Sequence, residues 1–283
     1  MINYYLMTKP GIIMGNLITL AAGFLLASKG NIDLKLFFAV FTGLTFVIAS
    51  ACVFNNYIDR ATDKKMERTK NRALARGLVS GRNAIFFGTA LGIMGGLVLF
   101  FFTNLLTLAV TAIGFFIYVV LYSFWKSRTI YGTAIGSIAG AIPPVAGYCA
   151  ASNQLDAGAL ILFSMLVLWQ MPHFFSIAVF HLKDYAAAGI PVLPVKRGML
   201  RTKVHMTVYI LCFLASAVML TFFNYTGYVY LAVASGIGLA WLGLCLKGFS
   251  SRNDTLWGRQ MFQLSLVMIS AICFVIPFDL VTS

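Results

Sequence analysis

Nine runs of mostly apolar residues, each about 20 long, divide this chain and leave little between them. They fall at roughly 11–29, 36–55, 84–102, 105–124, 130–151, 157–181, 205–223, 228–247 and 260–279. A helix that crosses a bilayer needs about 20 such residues. With 60% of residues hydrophobic and only 10% charged, too little polar surface remains to cover a soluble domain of 283 residues. The sequence predicts an all-α polytopic membrane protein with nine transmembrane helices. Residues 1–283 are expected to form one intramembrane domain, with no separate soluble part and no cleavable secretory signal ahead of the first run.

The charges orient these spans. Nine crossings place the two ends of the chain on opposite sides. With the N-terminus cytoplasmic, only Lys29 and Lys35 fall outside, so 19 of the 21 basic residues lie on the cytoplasmic face. That is the pattern of a bacterial inner-membrane protein. The net charge of +13 then reflects topology and contact with the lipid bilayer, and nucleic acid is not expected as a partner. The two long cytoplasmic connections, 56–83 and 182–204, are the segments where function is expected to concentrate.

The acids are few and uneven. Of eight, none sits at the middle of a span, which argues against a pump or proton-coupled transporter. Three of them, Asp59, Asp63 and Glu67, fall within nine positions, and Asn55 precedes them at the same spacing of four. On a helix this spacing puts the four on one face, drifting about 40° per step. Two carboxylates one turn apart suit Mg²⁺, which typically shares one or two carboxylates with substrate phosphate oxygens. Asn55 adds a neutral oxygen. The basic run Arg68, Lys70, Arg72 and Arg76 follows at once, and arginine grips phosphate bidentately. The competing reading is a solvated helix whose acids pair with Lys64 and Lys65, the basic residues serving topology alone.

The five cysteines form no CxxC pair and read as small apolar residues within spans. Of the three histidines, His173 lies within a span, in a polar notch with Gln170 and Pro172, where an imidazole needs a partner. His181 and His205 lie nearer the interface.

The run Asn55-Asn56-Tyr57-Ile58-Asp59-Arg60-Ala61-Thr62-Asp63, continued by Met66, Arg68, Thr69 and Arg72, resembles the first aspartate-rich motif of the UbiA-type intramembrane prenyltransferases. Asn56 departs from the family aspartate, and Ala73 replaces the usual proline. Four further segments are most similar to the branch of that superfamily that prenylates heme. They are Thr8-Lys9-Pro10-Gly11, Tyr131-Gly132 with Gly140-Ala141-Ile142-Pro143-Pro144, Trp169-Gln170-Met171-Pro172-His173, and Lys183-Asp184-Tyr185 with Ile190-Pro191-Val192-Leu193-Pro194. The resemblance covers nearly the whole chain.

It implies nine helices around a central cavity and an Mg²⁺-dependent transfer of farnesyl from farnesyl diphosphate to a vinyl group of heme B. On this resemblance Asn55, Asp59, Asp63 and Asp184 are the expected catalytic residues, with Asp59 and Asp63 as metal ligands. Arg68, Arg72, Lys126, Arg128 and Lys183 are expected at the diphosphate, although Lys126 and Arg128 equally suit a heme propionate or a membrane anchor. His173 is expected at the heme, since heme iron commonly takes an axial histidine; helix packing is the alternative. Where many relatives carry a second DxxxD, Asp184 is followed by Ala188, so the second half-site holds one carboxylate. Association with heme A synthase or terminal-oxidase assembly is a further implied partnership. Relatives that prenylate a quinone precursor or a chlorin share the first motif, and a transporter without chemistry is the remaining alternative.

Overall fold

Charged residues end the apolar runs of this chain but do not end its helices. The computed structural model describes residues 2–281, which fold as α1 (Ile2–Met7), α2 (Pro10–Ser28), α3 (Leu34–Asp63), α4 (Gly81–Phe102) and α5 (Leu105–Phe116). A π-helical turn (Ile117–Tyr122) joins α5 to α6 (Ser123–Trp125). Then come α7 (Gly132–Gly140), α8 (Ile142–Ser152), α9 (Ala157–Phe180), α10 (Leu182–Ala187), α11 (Leu193–Phe222), α12 (Tyr228–Lys247) and α13 (Asp254–Val275).

Nine helical stretches among the described residues are long and apolar enough to cross a membrane. Two are longer than hydropathy predicts. The second runs from Leu34 to Asp63, so the aspartate-rich motif extends the helix rather than lying in a loop. The seventh begins at Leu193 and bends at Gly198, where φ is 79°. Hydropathy measures how willingly a residue enters lipid. A backbone satisfied by its own helical hydrogen bonds continues past that boundary.

Helix pairs meet where side chains are missing. A Cβ on Gly23 of α2 would stand 2.0 Å from the carbonyl oxygen of Pro144, and one on Gly147 of α8 would stand 2.2 Å from that of Leu20. Without water to drive association inside a bilayer, such close backbone packing supplies the contact energy. Phe86, Phe100, Phe101, Phe222 and Phe274 face outward, as lipid-facing side chains do.

Three acids cap helices at the end of the bundle where α2 finishes and α3 starts. Asp33 accepts from the Leu36 amide, Asp156 from the amides of Gly158 and Ala159, and Asp279 from that of Tyr230. Satisfying first-turn N–H groups is ordinary work for a carboxylate. Asp254 pairs with Lys203, and Glu67 pairs with Lys70 on the surface. Asp59, Asp63 and Asp184 are the acids that remain, at the end where α3 finishes.

Candidate active site

The last two turns of α3 carry Asn55, Asp59 and Asp63 on one face, as their spacing requires. Asn55 and Asp63 are only 3% and 4% exposed. A buried carboxylate needs a partner, and each acid has one, Asp63 from the loop that follows α3 and Asp59 from beyond α5. Arg72 Nη1 donates to both oxygens of Asp63, at 3.0 and 2.9 Å. The Thr69 hydroxyl donates to the Asp63 carbonyl at 3.0 Å, holding the loop that delivers Arg72. Lys126, at the end of α6, pairs with Asp59, the two side chains 17% and 13% exposed. Lys64 and Lys65 take neither acid, so the solvated-helix pairing is not the arrangement found. Glu67 has left the helical face and is 75% exposed.

Lys9, which the sequence marks only within the Thr8-Lys9-Pro10-Gly11 segment and without a role, completes the cluster. Its ammonium donates to Asn55 Oδ1 at 2.6 Å. Loss of hydration lowers its pKa to about 8, with Arg72 and Lys126 pushing the same way and Cys52 and Asp59 opposing. Its sequence signals are that segment and its place before Pro10, where the chain must turn. Lys9 there is left-handed, with φ 54° and ψ 68°. That conformation is strained for a side-chain-bearing residue and concentrates at functional sites.

The other predicted residues are placed less closely. The Asp184 carboxylate accepts from the backbone amide of Arg68 at 3.4 Å, which joins the two long connections. Lys183 is exposed, and neither it nor the Arg68 guanidinium makes an ion pair among the described residues. His181 lies between them electrically. Its pKa is lowered by lost hydration and by Arg68, against an opposing pull from Asp184. Arg128 is exposed and stacks on Phe124 at 3.7 Å, and pairs with neither acid.

Below the acids lies a cavity of about 700 Å³, within the range of small-molecule sites. Its wall includes Cys52, two turns from Asp59, and Tyr122, one turn from Lys126. The π-helical turn presents Tyr118 and Tyr122 to the cavity as a stacked pair, ring centroids 5.4 Å apart. Such turns recur at functional sites.

The far wall holds His173. Its ring stacks on Trp169 at 4.7 Å, and Nδ1 meets the Ser265 hydroxyl at 2.7 Å. That hydroxyl has one proton and donates it to the Phe262 carbonyl at 2.6 Å. Ser265 is therefore the acceptor, Nδ1 carries the imidazole hydrogen, and Nε2 keeps its lone pair. Nε2 makes no hydrogen bond among the described residues, and the side chain lines the cavity. Gln170 fills the gap opposite Gly140, donating to the carbonyls of Ser137 and Leu166.

The donors suit a hard divalent cation. Asp59, Asp63 and Asn55 supply oxygens, and all three already face cationic nitrogens. No group of three histidine, cysteine or acidic residues forms a metal cage among the described residues. A cation there needs further oxygens from a ligand, which is how Mg²⁺ usually joins a phosphate.

Known proteins resemble this chain in sequence and in fold. Over 282 residues the chain is 58% identical to the protoheme IX farnesyltransferase of Protochlamydia amoebophila (strain UWE25), covering 99% of this chain and 100% of that one. Over 281 residues it is 51% identical to that of Serratia proteamaculans (strain 568), covering 99% and 95%. The fold superposes on a digeranylgeranylglyceryl phosphate synthase with TM-score 0.81 at 18% identity, covering 98% of this chain and 96% of that one. A UbiA homolog from Archaeoglobus fulgidus bound to GPP and Mg²⁺ gives 0.71 at 16% identity, covering 98% and 99%. The profile of the UbiA prenyltransferase family matches residues 16–267, and the chain belongs to that family.

Proposed function

We propose that this protein transfers the farnesyl group of farnesyl diphosphate to a vinyl group of heme B, with addition of water, giving heme O and diphosphate. The observation that carries the reading is one cavity whose wall runs from Cys52 and Tyr122, on the helices that carry Asp59 and lead to Lys126, to an imidazole with a free Nε2. The acid cluster suits a diphosphate with a metal, and the imidazole suits a heme iron. Full-length relatives at 50–58% identity that carry this activity in their names support the same acceptor.

Asp59, Asp63 and Asn55 would hold Mg²⁺, which supplies charge neutralisation to a departing diphosphate. Arg72 and Lys126 would bind the remaining phosphate oxygens, with Arg68, Lys183 and Arg128 farther out. As the C1–O bond of the farnesyl chain breaks, the electron pair leaves with diphosphate and an allylic cation remains. The terminal carbon of the heme vinyl group bonds to C1, and the charge moves to the carbon next to the ring. Water adds there and releases a proton, leaving a hydroxyl. The apolar wall around Tyr118 and Tyr122 keeps water from the first cation. His173 orients the heme by ligating its iron, and Asp184 fixes the loop that carries Arg68.

The topology that fits this role puts the site on the cytoplasmic face of the inner membrane, with the N-terminus inside and the C-terminus outside, in one intramembrane domain. Heme O is apolar, so direct transfer to a heme A synthase or an assembling terminal oxidase is the matching partnership. Membranes containing the protein, given heme B, farnesyl diphosphate and Mg²⁺, should yield a product heavier by a farnesyl group plus a hydroxyl. Prenylation of a quinone precursor with heme B left unchanged would overturn the reading.

A further inference from the structure

We infer that Lys9 is a diphosphate-binding residue, closing on the leaving group from the start of α2. The inference rests on the prenyl-transfer reading and adds a ligand to it. Lys9 is a half-buried ammonium whose hydrogen-bond partner is a neutral amide, Asn55 Oδ1. It forms no ion pair among the described residues, whereas Arg72 and Lys126 each have a carboxylate. An ammonium drawn out of water toward a neutral partner lacks a counter-charge that an anionic ligand would supply. Three cationic nitrogens therefore face two carboxylates, and the cluster is left with one unmatched positive charge.

The backbone is built to put that charge there. Lys9 adopts its left-handed conformation immediately before Pro10, where steric crowding already narrows the choices. The segment before it is pinned to α3, since Asn56 Nδ2 donates to the Met7 carbonyl at 2.8 Å. Thr8 turns the chain by donating its hydroxyl to the Tyr5 carbonyl at 2.7 Å. Asn55 and Asn56, neighbours on α3, thus hold the side chain and the main chain of one strap.

Room for a ligand lies beside it. Gly11 and Gly15 line the cavity from the first and second turns of α2, and a Cβ on either would meet nothing within 4 Å.

The test uses the purified full chain in detergent, with inorganic diphosphate plus Mg²⁺ as the probe. Calorimetry should show diphosphate binding weakened roughly ten- to hundred-fold in Lys9→Met, the worth of a charge-assisted hydrogen bond, and largely restored in Lys9→Arg. Heme B binding, read from the Soret band, should be unchanged in both. In the wild-type protein, diphosphate should slow acetylation of Lys9 by acetic anhydride, measured by peptide mass, and this needs no variant to fold. Unchanged diphosphate affinity in Lys9→Met, equal loss of diphosphate and heme binding, or acetylation indifferent to diphosphate would each overturn the inference. Failure of the wild-type protein to bind diphosphate at all would overturn the prenyl-transfer reading with it.

Discussion

Lys126 closes on Asp59 from the far end of a π-helical turn, linking α6 to α3 across 67 positions of sequence. The pair has a carboxylate that suits a metal and an ammonium that suits a phosphate, each held in place by the other.

Replacing either acid of the motif should remove the reaction and spare the fold. Asp59→Asn and Asp63→Asn are expected to lower kcat/KM at least about 100-fold, the scale of losing one electrostatic contact to a developing charge. Product mass and size-exclusion profiles of the two variants check this. Because the carboxylate itself is needed, the charge-swapped pair Asp59→Lys with Lys126→Asp should stay inactive.

Arg72 is expected to matter for stability as well as turnover. Its removal leaves Asp63, whose side chain is 6% exposed, charged and unpaired. Breaking a buried pair in this way costs about 3–5 kcal/mol. Arg72→Met should therefore unfold at clearly lower temperature than wild type, and Arg72→Lys should fall between them. The Arg72→Met, Asp63→Asn double variant should recover most of the loss, because the unpaired charge is gone.

His173 gives a spectroscopic outcome. His173→Ala should still take up heme weakly through the apolar walls while losing the Soret and charge-transfer features of an imidazole ligand. Ser265→Ala leaves the ligand but frees the Nδ1 hydrogen, and an orienting partner of this kind is typically worth about 10–100-fold in affinity. A Ser265→Ala variant with wild-type heme affinity would count against the axial role.

The contact between α2 and α8 should tolerate no side chain. Gly23→Ala and Gly147→Ala force backbone apart, since the added carbon would stand 2.0–2.2 Å from a carbonyl oxygen. Overpacking commonly costs about 1–3 kcal/mol, and contact with main chain leaves little room to relax. Gly11→Ala, facing open space, should leave the unfolding temperature nearly unchanged.

Local chemistry made much of this legible in the sequence. Lipid selects apolar residues over a fixed length, so all nine spans showed. Helical spacing put Asn55, Asp59 and Asp63 together, and Arg72 followed closely enough to fold back on them. The remainder depended on tertiary contact. Lys126 and Arg128 look alike as a pair of interfacial cations, yet one reaches Asp59 and the other stacks on Phe124. Ser265 lies 92 positions from the imidazole it orients, with nothing nearby to mark it. Lys9 stood in the Thr8-Lys9-Pro10-Gly11 segment with no role attached, and its inward turn comes from an uncommon backbone conformation.

The last contact made at His173 dates the site within the life of the polypeptide. A ribosome that has delivered α1 through α6 has already exposed Asp59, Asp63 and Lys126, but not the imidazole. Asp184, which fastens the Arg68 loop, arrives only after α9, and Ser265 comes with α13, the last of the nine spans. Until that helix is inserted, the imidazole has no fixed tautomer and the cavity lacks a wall. The nascent protein can display its acids early, yet it cannot seat a porphyrin until synthesis is almost complete.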